Sequence, residues 1–287
     1  MEIKRAKKMG FCFGVRGAIR TCHRVSESES GKKYILGMVV HNKNVVKSME
    51  DLGFNMVTEE ELLTGKDSLE KGDIVVVRAH GTTNKIYDIL KSREVIIYDA
   101  ACVFVTKIRD ILLEEEKKGN GIIFIGDKEH PEVKGIISFG DHVLIFKDLE
   151  ELEESSQIDK NKKYSLLTQT TYNKDKFQEI KKYLEKNYPN IEIFDRICGA
   201  TYERQKAAEE LAKEVNLVII VGDKNSSNSK KLFEISKKHN NRSYLIQDES
   251  ELDLSWIKSD DVVGITAGAS TPEDIIINIE NKIRGNF

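Results

Sequence analysis

The segment IEIFDRICGATYERQKAAEELAKEV, residues 191–215, contains a short apolar run, a cysteine and a stretch with helical periodicity. The alternating residues before Cys198 are typical of a strand, and the alanine-rich stretch after it is typical of a helix. The same order recurs around Cys102, in EVIIYDAAC followed by VFVTKIRDILLEEEKKG. It recurs again around Cys12, in MEIKRAKKMGFC followed by FGVRGAIRTCHRV. Strand, cysteine and helix therefore form a repeated unit.

Polar residues repeat at fixed distances from the three cysteines, which themselves lie 90 and 96 residues apart. Each helix is followed by two further apolar runs, and each run ends at a polar residue. These residues are His41 and His80 in the first repeat, His130 and Thr170 in the second, and Ser226 and Ser270 in the third. They follow their cysteine by 28 or 29 positions and by 68 to 72 positions. Because ligands of open α/β sheets bind at the carboxyl ends of strands, the pattern predicts a triplicated α/β module with its working face at that edge.

The repeat also sets the expected boundaries, since no Pro-rich or Gly-rich linker divides the chain. We expect α/β modules over residues 13–102, 103–198 and 199–287. Residues 1–12 are expected to form a first strand that joins the third module. A thiolate at the same topological point in each module predicts one metal centre on a pseudo-threefold axis.

Composition narrows the class of protein. The 287 residues are 32% charged with both signs mixed, and the formal net charge is −3, which gives little support to a nucleic-acid or membrane-surface role. The amino-terminal residues lack the apolar core of a signal peptide, and no apolar stretch approaches the ~20 residues that span a bilayer. We therefore expect a cytoplasmic protein. Widely spaced cysteines in such a protein are more typical of metal ligands, catalytic thiols or packed side chains than of disulfides.

Three thiolates suit more than one metal centre. Zinc with three cysteines and an open position is one candidate, and a [4Fe-4S] cluster with one iron open to substrate is another. No C-x₂-C motif is present, so the spacing does not choose between them. Burial as small apolar side chains is the simplest alternative for any single cysteine, but it explains three equivalent junctions poorly. Cys22 has no counterpart in the other repeats and is predicted to be packed rather than ligating.

The polar residues at the strand ends indicate an anionic substrate. NSSNS (225–229) and GAST (268–271) each precede a helical segment, where hydroxyl and backbone N–H groups favour a phosphate or diphosphate. Ordinary helix capping is the alternative for both motifs. Glu132 follows His130 and a proline at a strand end, which could aim its carboxyl into the site as a proton donor. The alternative for Glu132 is a solvated surface residue.

Ten motifs in order along nearly the whole chain carry a resemblance to a known family. They are GFCFGV (10–15), VVHN (39–42), AHG (79–81), DAAC (99–102), VTK (105–107), HPEVKG (130–135), TQTT (168–171), RQ (204–205), NSSNS (225–229) and GITAGAST (264–271). This order resembles the 4-hydroxy-3-methylbut-2-enyl diphosphate reductases, iron-sulfur oxidoreductases that end the methylerythritol phosphate route of isoprene biosynthesis. The family fold implied is three α/β modules around a central cluster.

The resemblance implies a function and a set of site residues. The [4Fe-4S] cluster would be held by Cys12, Cys102 and Cys198, and Glu132 and Thr170 would act at the allylic hydroxyl. The residues implied to bind the diphosphate substrate are His41, His80, His130, Thr170, Ser226, Ser227, Asn228 and Ser270. The reaction is reductive removal of the hydroxyl to give isopentenyl and dimethylallyl diphosphates. Electrons would come from ferredoxin or flavodoxin, because the chain has no G-x-G-x-x-G motif after a strand.

Two alternatives and one departure accompany this interpretation. A zinc hydrolase of a phosphorylated substrate and a non-enzymatic cluster protein that senses diphosphates would use similar residues. The family usually has Thr before and Pro after the second cysteine, whereas Ala101 and Val103 flank Cys102 here. This change removes a hydroxyl and a rigid turn beside the expected cluster.

Overall fold

The computed structural model describes residues 1–40 and 42–286 of the chain. Its strands are β1 Glu2–Arg5, β2 Lys33–Leu36, β3 Phe54–Val57, β4 Ile74–Val77, β5 Ile96–Asp99, β6 Gly121–Ile125, β7 Val143–Phe146, β8 Tyr164–Thr168, β9 Ile191–Ile193, β10 Leu217–Val221, β11 Ser243–Ile246 and β12 Val262–Ala267. Its α-helices are α1 Phe13–Ser28, α2 Lys43–Asp51, α3 Glu59–Thr64, α4 Asn84–Ser92, α5 Val103–Lys117, α6 Pro131–Ile137, α7 Leu149–Glu154, α8 Lys174–Asn187, α9 Gly199–Glu214, α10 Ser227–His239 and α11 Glu273–Arg284. Two 3₁₀ turns, Glu249–Glu251 and Leu254–Trp256, lie between β11 and β12.

The strands form three four-stranded sheets in which every neighbouring pair is parallel. Their strand orders are β3-β2-β4-β5, β7-β6-β8-β9 and β1-β12-β10-β11. Each sheet has helices between its strands, as parallel connections require. The predicted α/β fold of three modules is therefore confirmed.

The chain divides into two compact units. The first contains Met1–Arg16, Val40–Lys47 and Gly199–Phe287, and it holds the sheet β1-β12-β10-β11. The second contains Gly17–Val39 and Ser48–Cys198, and it holds the other two sheets. Within the first unit β1 pairs with β12, with Glu2 opposite Val262. The module boundaries expected from the repeat stay a prediction.

The central strand β10 shows how these sheets are stabilised. Leu217, Ile219 and Val221 pack in one core with α11, whereas Val218 and Ile220 pack in another with α9. All five side chains are fully buried, because helices cover both faces of the sheet. Burying each of them contributes about 1.5–3 kcal/mol. Strands that are buried on both faces therefore have nearly continuous apolar sequences, such as LVIIV in β10.

The strand that precedes the first polar motif is shorter than its apolar run. The run YILGMVVHN continues to Asn42, but β2 ends at Leu36. Gly37 then adopts a φ of 65°, a backbone conformation that a side chain would disfavour.

No helix of the described residues is long and apolar enough to cross a bilayer.

Candidate active site

The three repeated cysteines share one backbone hydrogen bond. The Cys12 N–H donates to the carbonyl of Ala269, which follows β12, at 3.0 Å. The N–H of Cys102 donates to Ala79, which follows β4, and that of Cys198 donates to Thr170, which follows β8, both at 2.9 Å. Each cysteine is thus fixed beside the carboxyl end of a strand in its own sheet.

Each of these cysteines directly precedes an α-helix. All three are free and half-buried. The Val15 N–H points at the Cys12 Sγ, 3.4 Å away, and Cys102 is the N-cap residue of α5. Cysteine thiolates are the usual protein ligands of iron-sulfur clusters. The cysteines therefore fit the donor chemistry of an iron-sulfur cluster, with Cys12 in the first unit and Cys102 and Cys198 in the second. In the described parts of the chain no three His, Cys, Asp or Glu side chains form a group that could hold a single metal ion.

Cys22 has a different environment. It lies inside α1 and is fully buried. Burial raises the pKa of its thiol to about 12. Its exclusion from the ligand set stays a prediction, and its setting is that of a packed side chain.

The side chain of Asp99 holds the turn before Cys102. The carboxylate of Asp99, at the end of β5, accepts the Ala101 N–H at 2.9 Å and the Tyr87 hydroxyl at 2.8 Å. Val103 then begins α5 and is exposed. Asp99 therefore fixes the turn through its side chain.

Glu132 and Thr170 lie together in the second unit. Glu132 is at the second position of α6 and only 1% exposed. Thr170 donates its N–H to Oε1 and its hydroxyl to Oε2 of Glu132, both at 2.7 Å. Burial raises the pKa of the Glu132 carboxyl, although the two Thr170 hydrogen bonds act in the opposite direction. A buried carboxyl with a raised pKa can hold a proton for general acid catalysis.

Two histidines occupy the same region of the second unit. His130 caps α6, and its Nδ1 accepts the Glu132 N–H at 3.1 Å, so the neutral ring carries its proton on Nε2. The His80 ring packs edge-on against it, with centroids 5.4 Å apart. Gly81 turns the chain directly after His80 with a φ of 73°. The ring of His130 can thus donate to an anion through Nε2.

Polar side chains lie at the amino terminus of α10 in the first unit. Ser226 caps the helix and Ser227 begins it. Asn228 is 5% exposed, and neither its Oδ1 nor its Nδ2 has a hydrogen-bond partner among the described residues. Burying an unpaired amide costs about 1–3 kcal/mol, so a bound polar ligand would account for this group. Ser270 is buried after β12, the strand that neighbours β10.

The structure therefore groups the predicted site residues within each unit. In the second unit Thr170 joins Glu132 to Cys198, and His80 lies beside His130. In the first unit Cys12 is bonded to Ala269, the residue before Ser270. His41 lies outside the described residues.

Arg204 has a role that the sequence motifs did not assign. It is buried in α9, and its Nε and Nη2 donate to the Gly10 carbonyl at 3.2 and 2.7 Å. Its Nη1 donates to the Ala200 carbonyl at 2.8 Å. The arginine thereby fixes the loop that leads to Cys12. The sequence offered one sign of this role: Arg204 lies on the same helical face as Ala208 and Leu211, which predicts that this charged side chain is buried.

The fold and these side chains define an α/β protein of three parallel sheets, with three cysteines that each precede a helix and polar side chains at the amino terminus of α10. A sequence model of the family described as LytB protein matches residues 3–284. The chain therefore belongs to the LytB family, as the ten motifs predicted.

Three curated relatives of this chain carry one name. A protein of Fusobacterium nucleatum is 58% identical over 287 residues, which is the whole of this chain and 34% of the relative. A Helicobacter pylori protein is 41% identical over 99% of both chains, and one from Thermoanaerobacter is 38% identical over 99% of this chain and 97% of its own. All three are named 4-hydroxy-3-methylbut-2-enyl diphosphate reductase. The chain spans about a third of the Fusobacterium relative.

Two solved structures share the fold. One is described as (E)-4-hydroxy-3-methyl-but-2-enyl diphosphate reductase, the terminal enzyme of the non-mevalonate pathway. It is 30% identical with a TM-score of 0.71 over 99% of both chains. The other is the E-1-hydroxy-2-methyl-but-2-enyl-4-diphosphate reductase from Plasmodium falciparum. It is 31% identical with a TM-score of 0.90 over 98% of this chain and 87% of its own.

Proposed function

We propose that this chain reduces 4-hydroxy-3-methylbut-2-enyl diphosphate to isopentenyl and dimethylallyl diphosphates in the cytoplasm. Family membership supports the reaction, and the buried Glu132–Thr170 pair is the observation in this chain that carries it. A carboxyl that is bonded twice by one threonine, and whose pKa is raised by burial, suits protonation of a leaving hydroxyl.

The residues proposed to hold the cofactor are Cys12, Cys102 and Cys198. Each directly precedes an α-helix, and cysteine thiolates are the ligands that iron-sulfur clusters require. When bound, a [4Fe-4S] cluster would pass electrons from an external donor to the substrate, one at a time, and would supply a Lewis-acidic iron. Asp99 holds the turn before Cys102, and Arg204 holds the loop before Cys12.

The protonated Glu132 is proposed to act through Thr170. When Glu132 is protonated, the hydrogen bond to the Thr170 hydroxyl reverses, so that the carboxyl donates and the hydroxyl accepts. The Thr170 hydroxyl can then take this proton and donate its own to the substrate hydroxyl, which leaves as water. Two electrons and a second proton complete the reaction by converting the allylic C–O bond to a C–H bond. Burial of Glu132 keeps bulk water from competing for this proton.

The diphosphate is proposed to be bound by neutral donors. His130 offers Nε2–H, and Asn228 offers an amide that has no protein partner among the described residues. The amino terminus of α10 adds a favourable dipole. The full proposed set is His41, His80, His130, Thr170, Ser226, Ser227, Asn228 and Ser270.

The test is anaerobic analysis of the purified chain. We expect about four irons and four sulfides per chain, and turnover of the allylic diphosphate with reduced methyl viologen. Zinc in place of iron would indicate a hydrolase instead. A loaded cluster without turnover would indicate a diphosphate sensor.

A further inference from the structure

The segment over residues 3–26 departs from the mixed charge of the rest of the chain. It contains seven lysines and arginines and no aspartate or glutamate, although the whole chain has 45 basic and 48 acidic residues. Cys12 lies near the middle of this segment. In the sequence, basic residues therefore flank one of the proposed cluster ligands on both sides.

Exposed aromatic side chains occur in the same region of the first unit. Phe13 begins α1 directly after Cys12 and is 65% exposed. Tyr202, in the first turn of α9, is 40% exposed. Burying a phenylalanine side chain stabilises a protein or a complex by about 1.5–3 kcal/mol, and Phe13 is not buried within the described residues. Exposed aromatics beside polar residues are typical of protein interfaces.

Three contacts hold α9 against the loop before Cys12. The Arg204 guanidinium donates to the Gly10 carbonyl at 2.7 Å. The Lys8 Nζ lies 3.7 Å from the Glu203 carboxylate, and the Lys7 Nζ lies 3.4 Å from that of Glu210. We call the exposed side chains of this loop, of the start of α9 and of the first residue of α1 the Cys12 surface. Its members are Lys7, Lys8, Phe13, Tyr202, Glu203 and Lys206.

The ion pairs that Lys7 and Lys8 make with glutamates leave these lysines able to bind a partner protein. Both Lys7 and Lys8 are largely exposed in their ion pairs. Such surface pairs contribute about 0–1 kcal/mol, so carboxylates of a partner can replace them at little cost. Lys206 is also exposed, in the second turn of α9.

Resting on the proposed function, we propose that the Cys12 surface is the docking site of the electron donor, an acidic one-electron carrier protein. Each carrier is oxidised by one electron, so two carriers are consumed for each substrate. The two electrons and two protons convert the allylic C–O bond to a C–H bond and release water. A donor that contacts Phe13 would lie close to Cys12, because Phe13 directly follows Cys12 in the chain.

The size and charge of the surface fit such a partner. Electron-transfer encounters are weak and bury less than about 1,200 Å², so a small surface with exposed aromatic and cationic side chains is sufficient. Complementary charge raises the association rate by about 10- to 10³-fold at low ionic strength. The cations therefore predict an acidic carrier and a salt-dependent reaction.

The experiment compares two reductants with anaerobic, cluster-loaded enzyme. One is an acidic ferredoxin kept reduced by its own reductase, and the other is reduced methyl viologen, a small dye that needs no docking surface. In the Lys7→Gln/Lys8→Gln variant we expect the KM for ferredoxin to rise about 5- to 20-fold at low salt, while dye-driven turnover stays within about twofold. Raising the ionic strength from about 0.02 M to about 0.2 M should remove this difference.

Matched controls separate docking from general charge and exposure. Lys237→Gln/Lys238→Gln makes the same charge change at the end of α10, and Ile277→Ser removes an apolar side chain that is 41% exposed on α11. Both should leave the ferredoxin KM unchanged, whereas Phe13→Ser should raise it.

The outcomes are distinguishable. An unchanged ferredoxin KM in both Phe13→Ser and the Lys7/Lys8 variant would overturn the docking site. If Phe13→Ser loses iron, its KM no longer reports on docking, and the ferredoxin KM of the Lys7/Lys8 variant alone tests the proposed surface. Wild-type enzyme without dye-driven turnover would instead contradict the proposed reaction. Ferredoxin titration of the loaded wild-type and Lys7/Lys8 proteins would then still test the surface, and equal affinities would reject it.

Discussion

Thr170 binds Glu132 twice, through its backbone N–H to Oε1 and through its hydroxyl to Oε2, each at 2.7 Å. The Thr170 carbonyl at the same time accepts the Cys198 N–H at 2.9 Å. One residue therefore sets both the orientation of a buried carboxyl and the backbone position of a proposed cluster ligand. The hydroxyl is the only one of these contacts that a side-chain substitution can remove alone.

Glu132→Gln tests the proton donor. The amide keeps the shape and most of the hydrogen bonding but cannot supply a proton, so kcat should fall about 10²- to 10⁴-fold. The dissociation constant of the diphosphate should change much less, because other residues are proposed to bind that end. Anaerobic kcat and equilibrium binding, with cluster content measured in parallel, give the comparison.

Glu129→Gln is the matched control for this variant. Glu129 lies three residues earlier, and its side chain is 70% exposed in an ion pair with Lys134. It should keep wild-type kcat. Wild-type turnover by Glu132→Gln would remove Glu132 from the mechanism.

The raised pKa of Glu132 makes two predictions about pH. Dye-driven kcat should fall as pH rises through the folded-state pKa, because the proton is then lost. A raised carboxyl pKa also means that ionisation destabilises the folded state, with no cost below the unfolded-state pKa and the full cost above the folded-state value. The gain in Tm of Glu132→Gln over wild type should therefore be larger at pH 8 than at pH 4. A constant difference across this range would show that Glu132 ionises as freely as in the unfolded chain.

Serine substitutions test the cluster ligands. Replacing Cys12, Cys102 or Cys198 with serine should abolish stable iron binding, because a hydroxyl is a poor substitute for a thiolate. Cys22→Ser should keep its iron, at a stability cost of about 1–3 kcal/mol for a buried hydroxyl. The iron and sulfide content per chain, measured anaerobically, shows which cysteines are needed to hold the cluster. Full loading of Cys102→Ser would contradict the assignment.

Much of the fold could be predicted because the central strands are buried on both faces and read as apolar runs. The strands β3, β7 and β11 were not predicted, since they are four-residue edge strands with partly exposed side chains. Their pairing depends on the neighbouring strand more than on their own sequence.

The candidate site was less predictable from local patterns. The HPE motif allowed either a solvated or a buried Glu132, and its burial depends on Thr170, 38 residues away. The contact between Arg204 and Gly10 spans 194 residues and has no local signal at the glycine. Helix capping by Ser226 could be predicted from residue type, whereas the unpaired amide of Asn228 could not.

Asn228→Leu tests whether the protein tolerates an unpaired buried amide in order to bind its substrate. Leucine has a similar volume and needs no hydrogen bond, so the ligand-free protein should be about 1–3 kcal/mol more stable. Diphosphate affinity should fall at least about tenfold, which corresponds to losing one good hydrogen bond. Ser236→Ala is the control, because the Ser236 hydroxyl is also buried without a partner but lies near the other end of α10. It should raise the free energy of unfolding and leave affinity unchanged. Denaturant unfolding and substrate titration measure both quantities, and an Asn228→Leu protein that binds diphosphate as wild type does would remove Asn228 from the site.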